Sequence, residues 1–116
     1  MSQNQDNFKR GTAEMLVLHL LCKEDLYGYQ ITQAFAEKSN GVYTILEGSL
    51  YPILYRLSDA GYISEYTKLV GKRRTRKYYH IEELGRKYYE EILAEYTAII
   101  DSIEKILDRK GGDSVE

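Results

Sequence analysis

The residues best equipped for chemistry in this sequence lie in one short run. Lys68, Lys72, Arg73, Arg74, Arg76 and Lys77 are six bases between Tyr66 and His80, with no acid among them. Tyr78 and Tyr79 follow directly. Clustered ammonium and guanidinium groups raise the local concentration of anions, and a nucleic-acid backbone is the anion that matches an extended run. A solvated surface is the plainer alternative. The whole chain carries 16 Lys and Arg against 18 Asp and Glu, a net charge of -2. Its charge is segregated, because Glu82 to Asp108 holds eight acids and three bases. Fields are screened over ~8 Å at physiological salt, so the basic run can meet an anion while the acidic segment faces elsewhere.

Other chemistries are poorly served. The two histidines, His19 and His80, stand in no recognisable frame with a paired acid. The segment VGKRRT contains the Gly-Lys of a phosphate loop, but Tyr66 stands where the earlier glycine belongs, and a strand rather than a helix follows. His19 and Cys22 are three apart on a helix, which leaves a metal site incomplete. Neither an enzyme nor a metal protein is expected, and no cofactor. The single cysteine, Cys22, excludes an internal disulfide, fits a reducing cytoplasm and reads as a small buried residue within LVLHLLC. No run approaches ~18 apolar residues, so no membrane partner is expected. The opening MSQNQDNFKR lacks the apolar stretch of a secretory signal. Twelve tyrosines and no tryptophan mean that the aromatic rings carry hydroxyls and can sit half-wet.

The elements that position these residues read as one cooperative unit, with residues 1–7 and 110–116 as frayed tails. Thr12 caps a first helix, TAEMLVLHLLC, apolar on almost every side. Such a helix is buried on more than one face, which in so small a domain points to a second chain, met through Leu16 and Leu20. In YGYQITQAFAEKSNG, Ile31 and Phe35 with Ala34 give an amphipathic helix, and Asn40-Gly41 stops it. In EGSLYPILYRLSDAGYI, Leu50, Ile53, Leu54 and Leu57 define a core face. Gly48, Pro52, Tyr55, Arg56 and Asp59 fall opposite, flanked by Ser49 and Tyr51. Proline costs about 3 kcal/mol in a helix interior, so this third helix starts near Gly48, with Pro52 in or just past its first turn. Gly61 ends it.

YISEYTKL and RKYYHI, joined by VGKRRT, form a hairpin with a basic tip. Alternation puts Tyr79 and Ile81 on one face and Arg76, Tyr78 and His80 on the other. The last helix runs from about Glu82 to Arg109 and is about 40 Å long. A ~100-residue globule has a radius of gyration of only ~13 Å, so this helix outreaches its domain. Yet Tyr88, Ile92, Tyr96, Ile99, Ile103 and Leu107 keep an apolar stripe to its end, widened by Leu93, Ile100 and Ile106. Exposure forfeits about 1.5–3 kcal/mol per large side chain, so a second copy packed along the stripe is expected, with folding back onto its own core as the alternative.

These elements make a mainly α fold with a small β-hairpin, a winged helix-turn-helix over residues 8–81 and a long C-terminal dimerisation helix over 82–109. The third helix would enter the major groove of double-stranded DNA, and the hairpin tip, the wing, would reach phosphate or the minor groove. Gly48 lets backbone approach phosphate at a helix N-terminus, Ser49 and Tyr51 offer hydroxyls, and Arg56 suits guanine or phosphate. Glu47 deters phosphate unless it points away. A winged helix used for protein or RNA contacts is the other reading.

Four segments then carry a resemblance. YGYQI (27–31), LEGSLYPILYRLSDAGYIS (46–64) and RKYYHIEELGRKYYEEI (76–92) resemble the PadR family of bacterial transcriptional regulators, and FKRGTAEMLVLHLL is similar to that family's opening segment. They occur in order over about residues 8–108, and the single long C-terminal helix resembles the family's small subgroup. The resemblance implies that Lys9 and Arg10 lie at the DNA backbone and Tyr29 near phosphate. It places Ser49, Tyr51, Pro52 and Arg56 at the groove, and Lys72, Arg73, Arg74, Arg76 and Lys77 in the wing. It implies a homodimer on a pseudo-palindromic operator, mostly as a repressor, and in some members a response to small aromatic ligands. In some small members a cavity between subunits takes planar apolar compounds, and Tyr96 stands where these carry an aromatic ring. Ordinary interface packing is the other reading of Tyr96. Ser49 stands where Thr is usual, and Ile81-Glu82 replaces Leu-Thr, so the usual hydroxyl cap of the last helix is missing.

Overall fold

The computed structural model describes residues 3–109. Along the chain come α1 (Gln3–Lys9), α2 (Ala13–Lys23), β1 (Leu26–Tyr27), α3 (Gly28–Lys38), α4 (Glu47–Asp59), β2 (Ile63–Val70), β3 (Arg74–Ile81) and α5 (Glu83–Leu107). Residues 3–7, expected as a frayed tail, belong to α1, which buries nothing. The other expected tail, 110–116, lies outside the described residues.

The core gathers Val17, Leu18 and Leu21 of α2, Ile31 of α3, and Leu50, Leu54 and Leu57 of α4, all fully buried. α2 touches α3, α4, β3 and α5 on its several sides. These contacts account for much of its all-round apolar character. Leu20, expected at a dimer interface, is 7 % exposed and is core, while Leu16 is partly buried against it. Thr12 precedes α2 but does not cap it. Its hydroxyl donates to the Lys9 carbonyl at 2.7 Å and pairs with Tyr43 Oη at 2.6 Å instead, tying α2 to the segment before α4.

α3 stops as expected. Asn40 and Gly41 take φ of 55° and 82°, and the Gly41 amide donates to the Ala36 carbonyl at 2.8 Å. α4 begins at Glu47, and Pro52 lies just past its first turn, inside the helix. The carbonyl left without its N–H partner is that of Gly48, which is exposed to water.

The hairpin pairs Ile63↔Ile81 through Val70↔Arg74, with Gly71, Lys72 and Arg73 at its tip. A third strand, β1, was not expected. It pairs Leu26↔Tyr79 and Tyr27↔Tyr78, so the sheet order is β1-β3-β2. Tyr79 and Ile81 face the core as alternation requires.

α5 is anchored at its root. A Cβ on Gly85 would fall 2.1 Å from the Tyr62 carbonyl oxygen, so only glycine permits the approach. Tyr88 stacks on Tyr62 with ring centroids 4.3 Å apart, and Tyr89 Oη meets His19 Nδ1 at 2.6 Å. Ile92 and Leu93 also pack on the core. Beyond them Tyr96, Ile99, Ile100, Ile103, Ile106 and Leu107 are exposed. The helix draws the molecule out to 62 Å, against 31 and 23 Å across. Glu82 precedes α5 without capping it and accepts from the Ser64 hydroxyl instead.

Candidate nucleic-acid interface

Three elements meet at one notch of about 400 Å³. Gly28 and Tyr29 come from the start of α3, Glu47 and Tyr51 from the start of α4, and Arg76 and Lys77 from β3. A Cβ on Gly28 would lie 2.5 Å from the Tyr51 hydroxyl, so the two are in close contact and a larger residue there would push the free end of the tyrosine aside. Tyr51 turns its hydroxyl toward α3. The first-turn N–H groups of α3 add partial positive charge at the notch. Tyr29 is exposed beside them, its hydroxyl accepting from Gln33 Nε2 at 3.1 Å. The Arg76 guanidinium lies 4.3 Å above the Tyr27 ring, and Lys77 is 3.6 Å from Glu65. Glu47 faces the same notch, so the charge there is mixed.

At the wing tip Lys72, Arg73 and Arg74 are exposed. No ion pair ties them among the described residues. The face of the wing turned away from the core is held by an aromatic and polar cluster. Tyr66 and Tyr78 stack at 5.6 Å, Tyr27 meets Tyr78 edge-on at 5.3 Å, and Lys68 lies 5.3 Å over Tyr78. Asp25, in the turn between α2 and β1, accepts from Tyr66 Oη at 2.7 Å and contacts His80 Nδ1 at 2.8 Å. Burial alone would raise the Asp25 carboxyl, but the hydrogen bonds from Tyr66 and His80, helped by the charges of His80 and Lys68, hold it below its ordinary value. The Tyr66 phenol is raised in turn, first by its hydrogen bond to Asp25.

The other flank of α4 borders a groove of about 850 Å³ lined by Lys9, Arg10, Glu14, Ser49, Ile53 and Arg56, among others. Glu14 Oε2 accepts from Arg56 Nε at 3.1 Å and Nη2 at 2.8 Å. Lys9 Nζ donates to the Thr44 carbonyl at 3.2 Å and lies 5.0 Å over the Tyr43 ring. Arg10 is exposed and donates to Asn7 Oδ1 at 3.0 Å.

The model of the PadR-like transcriptional regulator family matches residues 17–91. The chain belongs to this family. A transcriptional regulator from Clostridium thermocellum is 33% identical, with a TM-score of 0.79 over 90% of this chain and 96% of that one. The negative transcriptional regulator PadR of Bacillus subtilis is 28% identical over 88 residues, 76% of this chain and 48% of that protein. The chain thus spans about half of that relative. The structure of Bacillus subtilis PadR in complex with operator DNA is 30% identical, with a TM-score of 0.64 over 69% of this chain and 46% of that one.

In this PadR-like winged helix, α3 and α4 form the helix-turn-helix and the hairpin is the wing. The residues singled out in the sequence fall into three groups. Tyr29, Tyr51, Arg76 and Lys77 meet at the notch, Lys72, Arg73 and Arg74 occupy the tip, and Lys9, Arg10, Ser49 and Arg56 share the far flank. Pro52 is exposed on the ridge between the flanks. Three features were missed. His80 does have an acid partner, Asp25, but the two are 55 residues apart and no local frame reveals them. Arg56 is engaged by Glu14 from 42 residues away. Tyr55, on the outward ridge, is 72% exposed, and its angular position was the available signal. His19 and His80 do not converge with Cys22, since His19 faces Tyr89 and His80 faces Asp25. Tyr96 is 40% exposed and within electrostatic reach of Tyr43.

Proposed function

We propose that the chain is a homodimeric, ligand-responsive repressor that binds a pseudo-palindromic operator. Residues 8–81 bind DNA, with α4 in the major groove and the wing on the neighbouring phosphates, and 82–109 pair two copies. The observation that carries this reading is the convergence of the α3 start, the α4 start and β3 at one notch beside an exposed Lys72-Arg73-Arg74 tip. The operator complex of Bacillus subtilis PadR and that protein's name as a negative regulator support DNA as partner and repression as outcome. The exposed stripe from Tyr96 to Leu107 supports the dimer. Tyr96 is the residue we assign to a small planar aromatic effector.

The test is a salt titration of binding to the chain's own promoter duplex. Phosphate contact requires log K to fall with log salt by about 0.9 per neutralised phosphate. Binding that ignores salt rejects the mechanism and favours protein or RNA contacts. Sedimentation at micromolar concentration should give the mass of two chains. For the effector, equal weak binding of planar dyes and phenolic acids by wild type and Tyr96→Ala removes the assignment.

A further inference from the structure

We infer that Tyr55 is the base-reading side chain of α4 and that it selects thymine by covering the C5-methyl group. This rests on α4 being the groove helix, as proposed above. The orientation of α4 is fixed by Leu50, Ile53, Leu54 and Leu57, none more than 8% exposed. At about 100° per residue the direction opposite that face is occupied by Gly48, Pro52, Tyr55 and Asp59. Gly48 has no side chain, and Pro52 is short with no donor or acceptor. Asp59 is acidic, at the last residue of the helix. Tyr55, 72% exposed, is the one large side chain on the ridge.

The residues to either side are committed elsewhere. Arg56 lies about 70° off the ridge and gives two hydrogen bonds to Glu14, whose side chain is only 26% exposed. Swinging Arg56 into the groove would break both and leave the largely covered Glu14 carboxylate without them. It stays on the flank, with its remaining N–H groups turned to phosphate. Tyr51, about 70° off on the other side, has its hydroxyl against Gly28. Ser49 is exposed but short. An uncharged aromatic ring centred in the groove offers apolar surface, and the apolar group that major-groove edges present is the thymine methyl. A tyrosine has two χ angles to fix, so ordering it costs little entropy.

The experiment replaces each thymine of the footprinted operator half-site with deoxyuridine, one at a time, which removes only the methyl. Binding of wild type, Tyr55→Ala, Tyr55→Phe and Arg56→Ala is read by fluorescence anisotropy at fixed salt, with melting curves confirming folded protein. At one or two positions uridine should weaken wild type about fourfold, the worth of one buried carbon. Tyr55→Ala should be indifferent there, and Tyr55→Phe should keep the dependence. Arg56→Ala should weaken all duplexes alike. Equal uridine penalties in wild type and Tyr55→Ala, no penalty at any thymine, or altered base preference in Arg56→Ala would overturn the assignment. If wild type binds no duplex, the groove reading itself fails and this one with it.

Discussion

The wing tip and the far half of α5 both project from the domain, and each exposes something different. The tip exposes charge, in Lys72, Arg73 and Arg74. The helix exposes carbon, with Ile99 59%, Ile103 42% and Ile106 83% accessible. Water solvates a guanidinium well, so the tip is stable alone and its partner can come and go with ionic strength. Water solvates isoleucine badly, at about 1.5–3 kcal/mol per side chain, so the helix demands a lasting cover. One projection suits a reversible contact and the other a permanent one.

Breaking that comparison on the helix side should give the largest effect. Ile99→Glu combined with Ile103→Glu should halve the sedimenting mass. It should also weaken operator binding by about a hundredfold or more, because two half-sites are no longer engaged together. Next is the root of the same helix. Gly85→Ala places a methyl against the Tyr62 carbonyl and should lower the urea unfolding free energy by about 2–3 kcal/mol. On the wing side, Arg73→Ala with Arg74→Ala should leave the melting temperature unchanged. It should flatten the salt slope of binding by about 2, at about 0.9 per lost phosphate contact.

The smallest effect sharpens how the wing is held. The Asp25 carboxyl titrates lower in the folded chain than its ordinary 3.8. Its contribution is therefore complete at neutral pH and fades as pH falls through the lowered value. Asp25→Asn should speed hydrogen exchange in β2 at pH 7. That difference from wild type should begin to shrink only below about pH 4 and close once pH has fallen through the lowered value.

Much of this was legible in sequence because periodicity reports which face of an element is apolar. The core line of α4, the stop at Asn40-Gly41 and the inward Tyr79 and Ile81 all followed from spacing. Periodicity does not report what covers a face. Leu20 looked like interface because α2 is apolar all round, but the chain's own core buries it, while Leu16 is only partly buried. β1 is two residues long, too short for a pattern, and exists because Tyr78 and Tyr79 offer it an edge. The site was legible as residue types and not as partners. Arg56 was visible as an outward cation, whereas Glu14, which holds it, came from a helix read as core.

The contact at Gly85 has a mechanical consequence. Where α5 begins, backbone touches backbone, and the Glu82 amide donates to the same Tyr62 carbonyl at 2.9 Å. No flexible side chain lies between them to act as a bearing. A helix of this length is a lever of about 36 Å, and a tilt of about 5° at its root would carry its tip about 3 Å. With Tyr62 next to the first residue of β2, the pivot of that lever is also the foot of the wing. A movement of α5 at its root would be passed directly to the foot of the hairpin.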